Sequence, residues 1–375
     1  MKALQLASVA SMIDQFNIPN IKIQQSLGYQ VDVAADFTSP GNITLERANE
    51  LKKMLAAMKV RVFDIAIPRS LNMSAIISSY KSVKKLLNQE NYNLLHCHSP
   101  IGGVIARQAA KDKREDGLKV IYTAHGFHFY DGAPLRNWLF FYPVEKYYSR
   151  YTDVLIAINQ EDYKLASEKL HAKKTVYIPG VGVDTNKFAP RRKDREKIRS
   201  ELGVKECQFM LLSVGELNEN KNHGTVIRAI RDLQNITYVI VGKGELESRL
   251  KQVAIDNNVD VRLVGFREDV ASFYNAADAY ILPSIREGLN VSLMEAMASG
   301  LPCLCGNIRG NVDLIDDKGG YLFKPESVNE IGELVRKMVE LSLEERRTLG
   351  IYNLKKIRSY NLKTVEKLSY EIYRC

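Results

Sequence analysis

No run of about eighteen apolar residues occurs in the sequence, so no transmembrane helix is predicted and any membrane contact must be peripheral. Cysteine is sparse: Cys97, Cys207, Cys303, Cys305 and Cys375 form an odd, scattered set without metal-ligand spacing. That pattern argues against a disulfide framework or a zinc site and fits a reducing compartment. No G-x-x-x-x-G-K-[ST] is present, so a Walker-type NTPase is unsupported. LASVAS, at the end of the first predicted strand, lacks the G-x-G-x-x-G of an NAD-dependent reductase. No D-x-D falls at a predicted strand end, in line with chemistry that needs no metal. The opening MKALQLASVASMI is broken by Gln5 and reads better as a first buried strand than as a signal peptide.

What is present is the composition of a soluble globular protein, 45% hydrophobic and 26% charged over 375 residues, long enough for two cores. The net charge of +9 is uneven: residues 1–180 carry +7 of it and residues 181–375 only +2. A basic first half suggests an anionic partner there, a membrane surface, a phosphorylated acceptor or nucleic acid, against ordinary surface charge.

Strand-like and helix-like segments alternate throughout. The predicted strands are KALQLASV, QVDVAAD, VRVFDIA, NLLHCHS, LKVIYTAHG and DVLIAIN, then QFMLLSVGE, ITYVIVGKG, VRLVGF, AYILPS, LPCLCG and GYLFK. Amphipathic runs such as SAIISSYKSVKKLLN and VNEIGELVRKMVELS separate them. Short, mostly unalternating Val/Ile/Leu strands with intervening helices imply parallel sheets covered on both faces. Two sets imply two doubly wound domains, 1–180 and 181–358, with the seam in IPGVGVDTNKFAPRRKD and a final helix, 359–375, packing back on the first domain. Ligands of such sheets bind beyond the strands' carboxyl ends, so strand-end residues carry the interest.

In SVGELNENKNH, Lys221 follows a strand and opens a helix, where a point charge and free amides suit a diphosphate; a solvated Lys is the plainer reading. VIVGKGELESRL has Gly242 and Gly244 in what reads as a plain tight turn. In SIREGLNVSLMEAMASGLP a helix is predicted from about Leu289 to Ser299, with Gly300 and Pro302 stopping it. Glu287 then lies in the strand-end loop beside the amides of Leu289, Asn290 and Val291, and Glu295 one to two turns into the helix, placed to hold a vicinal diol. Together they suit a sugar, a phosphate and a ribose, the parts of a nucleotide sugar.

The first half has two matching strand ends. HCHSPIGGVIAR carries His96 and His98, with Ser99, Gly102 and Gly103 opening a helix as an anion site; YTAHGFHFYDGAP carries His125 and His128. Four of the chain's six histidines crowd there, yet no carboxylate or Cys completes a metal spacing. LRNWLFFYPVEKYYSRY holds the only Trp and many aromatics beside Arg136, Lys146 and Arg150, and fits helix–sheet packing before interfacial membrane contact.

With these residues assembled, the chain resembles glycosyltransferase family four over essentially its whole length, most specifically in the E-x7-E spacing of Glu287 and Glu295. SVGELNENKNH stands in the place of the family's G-R-L-x-x-x-K-G, and VGFREDV, YNAADAYILPS and TAHG add support. YTAHGFHFYDGAPLRNWLFFYPVEKYYSRYTD is similar to the bacterial exopolysaccharide and capsule branch. The resemblance implies an α/β GT-B fold, two Rossmann-like doubly wound parallel-sheet domains facing across a cleft. It implies a retaining hexosyl- or N-acetylhexosaminyl-transferase that uses a UDP-sugar as donor substrate, with no cofactor and no metal. The acceptor would be a glycan on polyprenyl diphosphate, met by a cytoplasmic enzyme in peripheral contact with the anionic inner face of the membrane, and no nucleic acid would be bound.

By the same resemblance Glu287, Lys221 and His125 are the catalytic residues. Lys221, Phe266, Arg267, Arg286, Glu287, Gly288, Leu289, Asn290, Val291 and Glu295 bind the donor, Phe266 and Arg267 at the base and Glu295 at the ribose. Asp14, His98, Ser99 and His125 form the acceptor side. Two departures stand out: the family's Arg partner of Lys221 is here Glu216, leaving Arg286 or Arg309 to substitute, and VASMIDQFNIPN lacks the family's glycine-rich loop. The rival readings are a UDP-sugar epimerase of the same architecture and a non-catalytic binder of nucleotide sugars or anionic lipid.

Overall fold

The thirteen strands form two wholly parallel sheets in this computed structural model, which describes residues 1–374 apart from the side chain of Arg192. The first sheet contains β1 (Lys2–Val9), β2 (Gln30–Asp36), β3 (Arg61–Asp64), β4 (Leu94–His98), β5 (Lys119–Ala124), β6 (Val154–Ala157) and β7 (Lys174–Tyr177) in the order 3-2-1-4-5-6-7. The second contains β8 (Phe209–Val214), β9 (Ile236–Val241), β10 (Val261–Leu263), β11 (Ala279–Leu282), β12 (Cys303–Gly306) and β13 (Gly320–Phe323) in the order 10-9-8-11-12-13. Both are doubly wound Rossmann-type sheets. β7 was not among the expected strands: KTVY is four residues long, begins with Lys and lies half-exposed at an edge, so it lacks the apolar run that marks the central strands.

One compact unit comprises Met1–Gly180 with the chain's end from Val365, and the other Val181–Thr364. Residues 357–361 still bond to the second unit, through Val183 N–H to the Tyr360 carbonyl and Asn361 Nδ2 to Thr185 Oγ1. The helix Leu362–Arg374 ends among the first unit's side chains, where Val365, Ile372 and Tyr373 join the core of Ala3, Ala7, Val31, Val33 and Ile121. Cys375 lies outside the described residues.

Alternation along β1 explains why both faces of the first sheet are filled. Leu4 and Leu6 point into one core with Leu95, Cys97 and Tyr122, while Ala3 and Ala7 point into the other. On the Leu4 side lie the helices Pro100–Ala110 and Leu135–Ser149. They are joined by a buried ion pair, Arg107 to Glu145 at 2.6 Å, whose guanidinium also stacks 4.0 Å above the Tyr122 ring. The two readings of LRNWLFFYPVEKYYSRY belong to opposite faces of that second helix. Trp138, Phe141 and Tyr142 pack on the core, whereas Leu135, Leu139, Phe140, Val144 and Tyr147 are exposed, Phe140 to 71%. Among the described residues no helix is long and apolar enough to cross a membrane.

Candidate active site

In each sheet the order reverses beside its first strand, between β1 and β4 and between β8 and β11. Connections leave such a pair in opposite directions and open a crevice at the strands' carboxyl ends. Asp14 follows and His98 ends the strands of the first pair, and Lys221 and Glu287 follow those of the second, whereas Phe266 and Arg267 follow the edge strand β10.

In the second unit the loop after β8 and the loop after β11 are laced together. Ile285 N–H donates to the Asn220 carbonyl (2.9 Å), Asn220 Nδ2 to the Arg286 carbonyl (3.0 Å), and Asn222 Nδ2 to the Pro283 carbonyl (3.2 Å). Asn222 can do this because it takes a left-handed conformation, φ 55°, which Asn tolerates. Lys221 Nζ then lies 2.6 Å from Glu287 Oε1, both side chains mostly shielded at 16% and 14% exposure. Under Lys221 lies Gly215, braced by the glycine turn after β9. Gly242 approaches the Gly215 carbonyl so closely that a Cβ would collide with it, and Leu217 N–H donates to the Lys243 carbonyl. Gly242 and Gly244 thus do more than turn the chain.

The helix predicted from Leu289 begins two residues later, as Val291–Ala298. Asn290 is its cap, its side chain accepting from Leu293 N–H at 3.0 Å, so Leu289 and Asn290 precede the helix and only Val291 of the three lies within it. A short capping side chain outcompetes a helical start, which propensity alone did not show. Gly288 has the Gly310 backbone against its carbonyl, where φ of 78° and lack of space both require glycine. Glu295 lies one turn in, accepting from the Tyr274 hydroxyl at 2.9 Å, and burial pushes its carboxyl up to about 7.

Two of the donor-side candidates, Arg267 and Arg309, have partners that sequence did not show. Arg267 is held by Glu201 (2.6 Å) and Asp269 (2.8 Å) and stacks over Phe273, while Phe266 beside it is 68% exposed. Arg286 is exposed, as is Glu216. Arg309 is 8% exposed, and its Nε donates to the Glu287 carbonyl at 3.4 Å. Of the two candidate substitutes, Arg309 is the one bonded to the Glu287 loop.

In the first unit His98 ends β4 and His125 follows β5; His98 Nδ1 and His125 Nε2 are 3.2 Å apart. Burial pushes His125 down to about 4 and His98 well below its ordinary value, so both rings are neutral at pH 7. Phe16 lies 5.8 Å from the His125 ring, in the π-helical turn Ile13–Asn17 that follows β1 almost directly. Ser99 caps Pro100–Ala110 at φ 68°, an unusual conformation for a residue with a Cβ. Asp14 is taken by Arg47, bonded through Nε (3.0 Å) and Nη2 (2.8 Å), and among the described residues it makes no hydrogen bond to the histidines. Gln5 and Tyr373, which bond to the histidines, were missed; the available signal was a lone Gln inside a buried central strand.

Comparison with known proteins agrees with this geometry. Residues 194–356 match the family model of glycosyl transferases group 1, and residues 28–159 that of glycosyl transferase 4-like proteins. EpsD of Bacillus subtilis, itself assigned as a glycosyltransferase, is 35% identical over 99% of this chain and 96% of its own. An Escherichia coli UDP-Gal:α-D-GlcNAc-diphosphoundecaprenol α-1,3-galactosyltransferase is 31% identical over 76% of this chain and 75% of its own. In fold, Anabaena HepE solved with UDP-glucose superposes with a TM-score of 0.78 over 99% of both chains at 19% identity. The chain belongs to glycosyltransferase family four, of GT-B fold, in its bacterial exopolysaccharide and capsule branch.

Proposed function

We propose that the protein is a retaining transferase that moves a hexose or N-acetylhexosamine from a UDP-sugar to a glycan carried on polyprenyl diphosphate. The observation that carries this reading is the Lys221–Glu287 pair at the second unit's switch point. Without donor, each charge satisfies the other. A diphosphate entering beside Lys221 competes for the ammonium and releases the Glu287 carboxylate to accept hydroxyls of the transferred sugar. As the glycosidic C–O bond breaks, negative charge grows on the leaving diphosphate, and Lys221 stabilises it together with the amides of Val291 and Ser292 that the Asn290 cap leaves over. This electrostatic work needs no metal. Arg309 stands nearest to replacing the family's second cation, since Glu216 cannot serve. Glu295 takes the ribose and the exposed Phe266 ring receives the base, while in the first unit His125 bonds a hydroxyl of the acceptor glycan. The Escherichia coli relative, which acts on UDP-galactose and a diphosphoundecaprenol-linked sugar, supports donor and acceptor class. In a thermal-shift and transfer screen, UDP-sugars are expected to raise the melting temperature, GDP-sugars not, and one UDP-sugar to be transferred to a polyprenyl-diphosphate-linked saccharide. Epimerisation without acceptor, or binding without turnover on any acceptor, would overturn the reading.

A lipid-linked acceptor calls for a membrane surface, and the helix Leu135–Ser149 offers one. Its outer face shows Leu135, Leu139, Phe140 and Val144, with Arg136 and Arg150 exposed alongside. Its single acid, Glu145, is buried against Arg107, leaving that face only basic charge. An apolar face rimmed by arginine suits an anionic bilayer. Sedimentation with vesicles containing phosphatidylglycerol is expected at low salt and to weaken as salt rises. Leu139→Ser with Phe140→Ser is expected to reduce it at least about tenfold, from the loss of about 2–4 kcal/mol of buried apolar area. Undiminished sedimentation of that variant would count against this face.

A further inference from the structure

Gln5, His96 and Thr123 form a polar line across neighbouring strands on one face of the first sheet, inside a core otherwise built from Ala3, Ala7, Leu94 and Ile121. Gln5 is 0% exposed. Burying an amide and two imidazoles is costly unless their bonds are all made, and here they are made in series. Tyr373 of the last helix reaches His96 Nδ1 with its hydroxyl (2.7 Å), and His96 Nε2 meets Thr123 Oγ1 (2.8 Å). Gln5 Nε2 lies 3.4 Å from His96 Nδ1, and Gln5 Oε1 lies 3.2 Å from His98 Nε2. His98 Nδ1 in turn meets His125 Nε2 at 3.2 Å.

An amide has its donor and its acceptor on fixed sides, which gives the series a direction. Gln5 Oε1 only accepts, so His98 bears its proton on Nε2. No carboxylate is among the bonded partners of either ring, and burial keeps both neutral. His98 Nδ1 is therefore a bare acceptor, and His125 must supply the proton between them from its own Nε2. At the other end His96 Nδ1 faces the Gln5 amide NH2 and the Tyr373 hydroxyl, so it is the ring's acceptor and takes the Tyr373 hydrogen, while its Nε2–H goes to Thr123. We propose that Gln5 is a positioning residue that, through His98, fixes His125 as the neutral Nε2–H tautomer and leaves Nδ1 as the ring's acceptor. In that form the free nitrogen takes a hydrogen bond from a sugar hydroxyl and offers no donor to a phosphate, so the ring selects a polyol over an anion. This use of the tautomer rests on the proposed role of His125 in bonding a hydroxyl of the acceptor glycan.

The test is long-range 1H–15N correlation on protein labelled at histidine, at pH 7, alongside transfer kinetics. The wild type is expected to show His96, His98 and His125 all protonated on Nε2. In Gln5→Leu, His98 and His125 are expected to become tautomer mixtures, and His96, left between two hydroxyls that each donate or accept, loses its fixed form as well. Transfer kcat should fall about tenfold in that variant, the worth of one well-made hydrogen bond. His98→Phe, which keeps an aromatic ring and removes the Nδ1 acceptor, is expected to release His125 in the same way and covers the case in which Gln5→Leu does not fold. His125 found protonated on Nδ1 in the wild type, or keeping Nε2–H in both variants, overturns the proposal. A tautomer that shifts while kcat stays put overturns instead the placement of His125 at the sugar.

Discussion

Replacing Lys221 by Ala is expected to lower kcat for sugar transfer about 10²- to 10³-fold, with a smaller change in the donor's KM. A preorganised group aimed at charge that develops only in the transition state contributes on that scale. The ground-state contact contributes less, because donor binding first breaks the 2.6 Å bond that Lys221 makes with Glu287. Lys221→Arg should not rescue. The lysine's aliphatic chain packs against Gly215, where an added Cβ would lie 3.3 Å from Cε, and the longer, planar guanidinium spreads its charge beyond the point that the ammonium occupies. Glu287→Gln provides the complementary arm, since it leaves the ammonium in place but removes the anionic acceptor for the sugar. Because the two side chains bond to each other, the double variant should lose less than the sum of the two single losses. Single-turnover rates on a lipid-linked acceptor measure all three variants. A Lys221→Ala enzyme that keeps more than about a tenth of wild-type kcat would remove Lys221 from its place at the leaving group.

Much of this was legible in the sequence, for a physical reason. Central strands of parallel sheets are buried on both faces, so KALQLASV, QVDVAAD and ITYVIV announce themselves as apolar runs, and the expected bounds of β1 and β2 are those observed. Edge strands lack that signature, which is why β7 escaped. Strand-end residues were legible because doubly wound sheets put ligands there, so Lys221, Glu287, His98 and His125 could be placed without coordinates. What sequence could not supply was pairing. Nothing in SVGELNENKNH says that Lys221 will meet a carboxylate sixty-six residues on, nor that Asn220 and Asn222 will bind the two loops. Nor does VGFREDV show that Arg267 is held by Glu201, or VASMIDQFNIPN that Asp14 is spent on Arg47. Gln5 read only as a break in an apolar run because its partners, His96, His98 and Tyr373, come from distant parts of the chain.

Glu295→Gln is expected to move stability and donor binding in opposite directions, and the pH dependence of each gives the reason. Desolvation raises the Glu295 carboxyl to about 7, against the pull of the Tyr274 hydroxyl, so the folded protein keeps it protonated in a range where the unfolded chain has ionised it. The stability this contributes is complete below the unfolded carboxyl's value and is lost as pH rises through about 7. At pH 8 the ionised group then opposes folding by up to about 3 kcal/mol relative to the neutral acid. The Gln variant, neutral throughout, should therefore melt several degrees above the wild type at pH 8 and close to it at pH 5. Donor binding follows the other sign. An ionised carboxylate accepts both hydroxyls of a ribose through charge-assisted bonds about twice as strong as neutral ones. Wild-type affinity for UDP should thus fall by up to about tenfold between pH 8 and pH 6, as the fraction ionised drops. Glu295→Gln should bind about 10- to 100-fold more weakly at pH 8 and show little pH dependence. Calorimetric titrations with UDP and thermal melts across this range measure both effects. A residue whose removal stabilises the fold but weakens the ligand is retained for function. If instead UDP affinity were the same in both proteins at every pH, Glu295 would be a buried acid with no part in holding the donor.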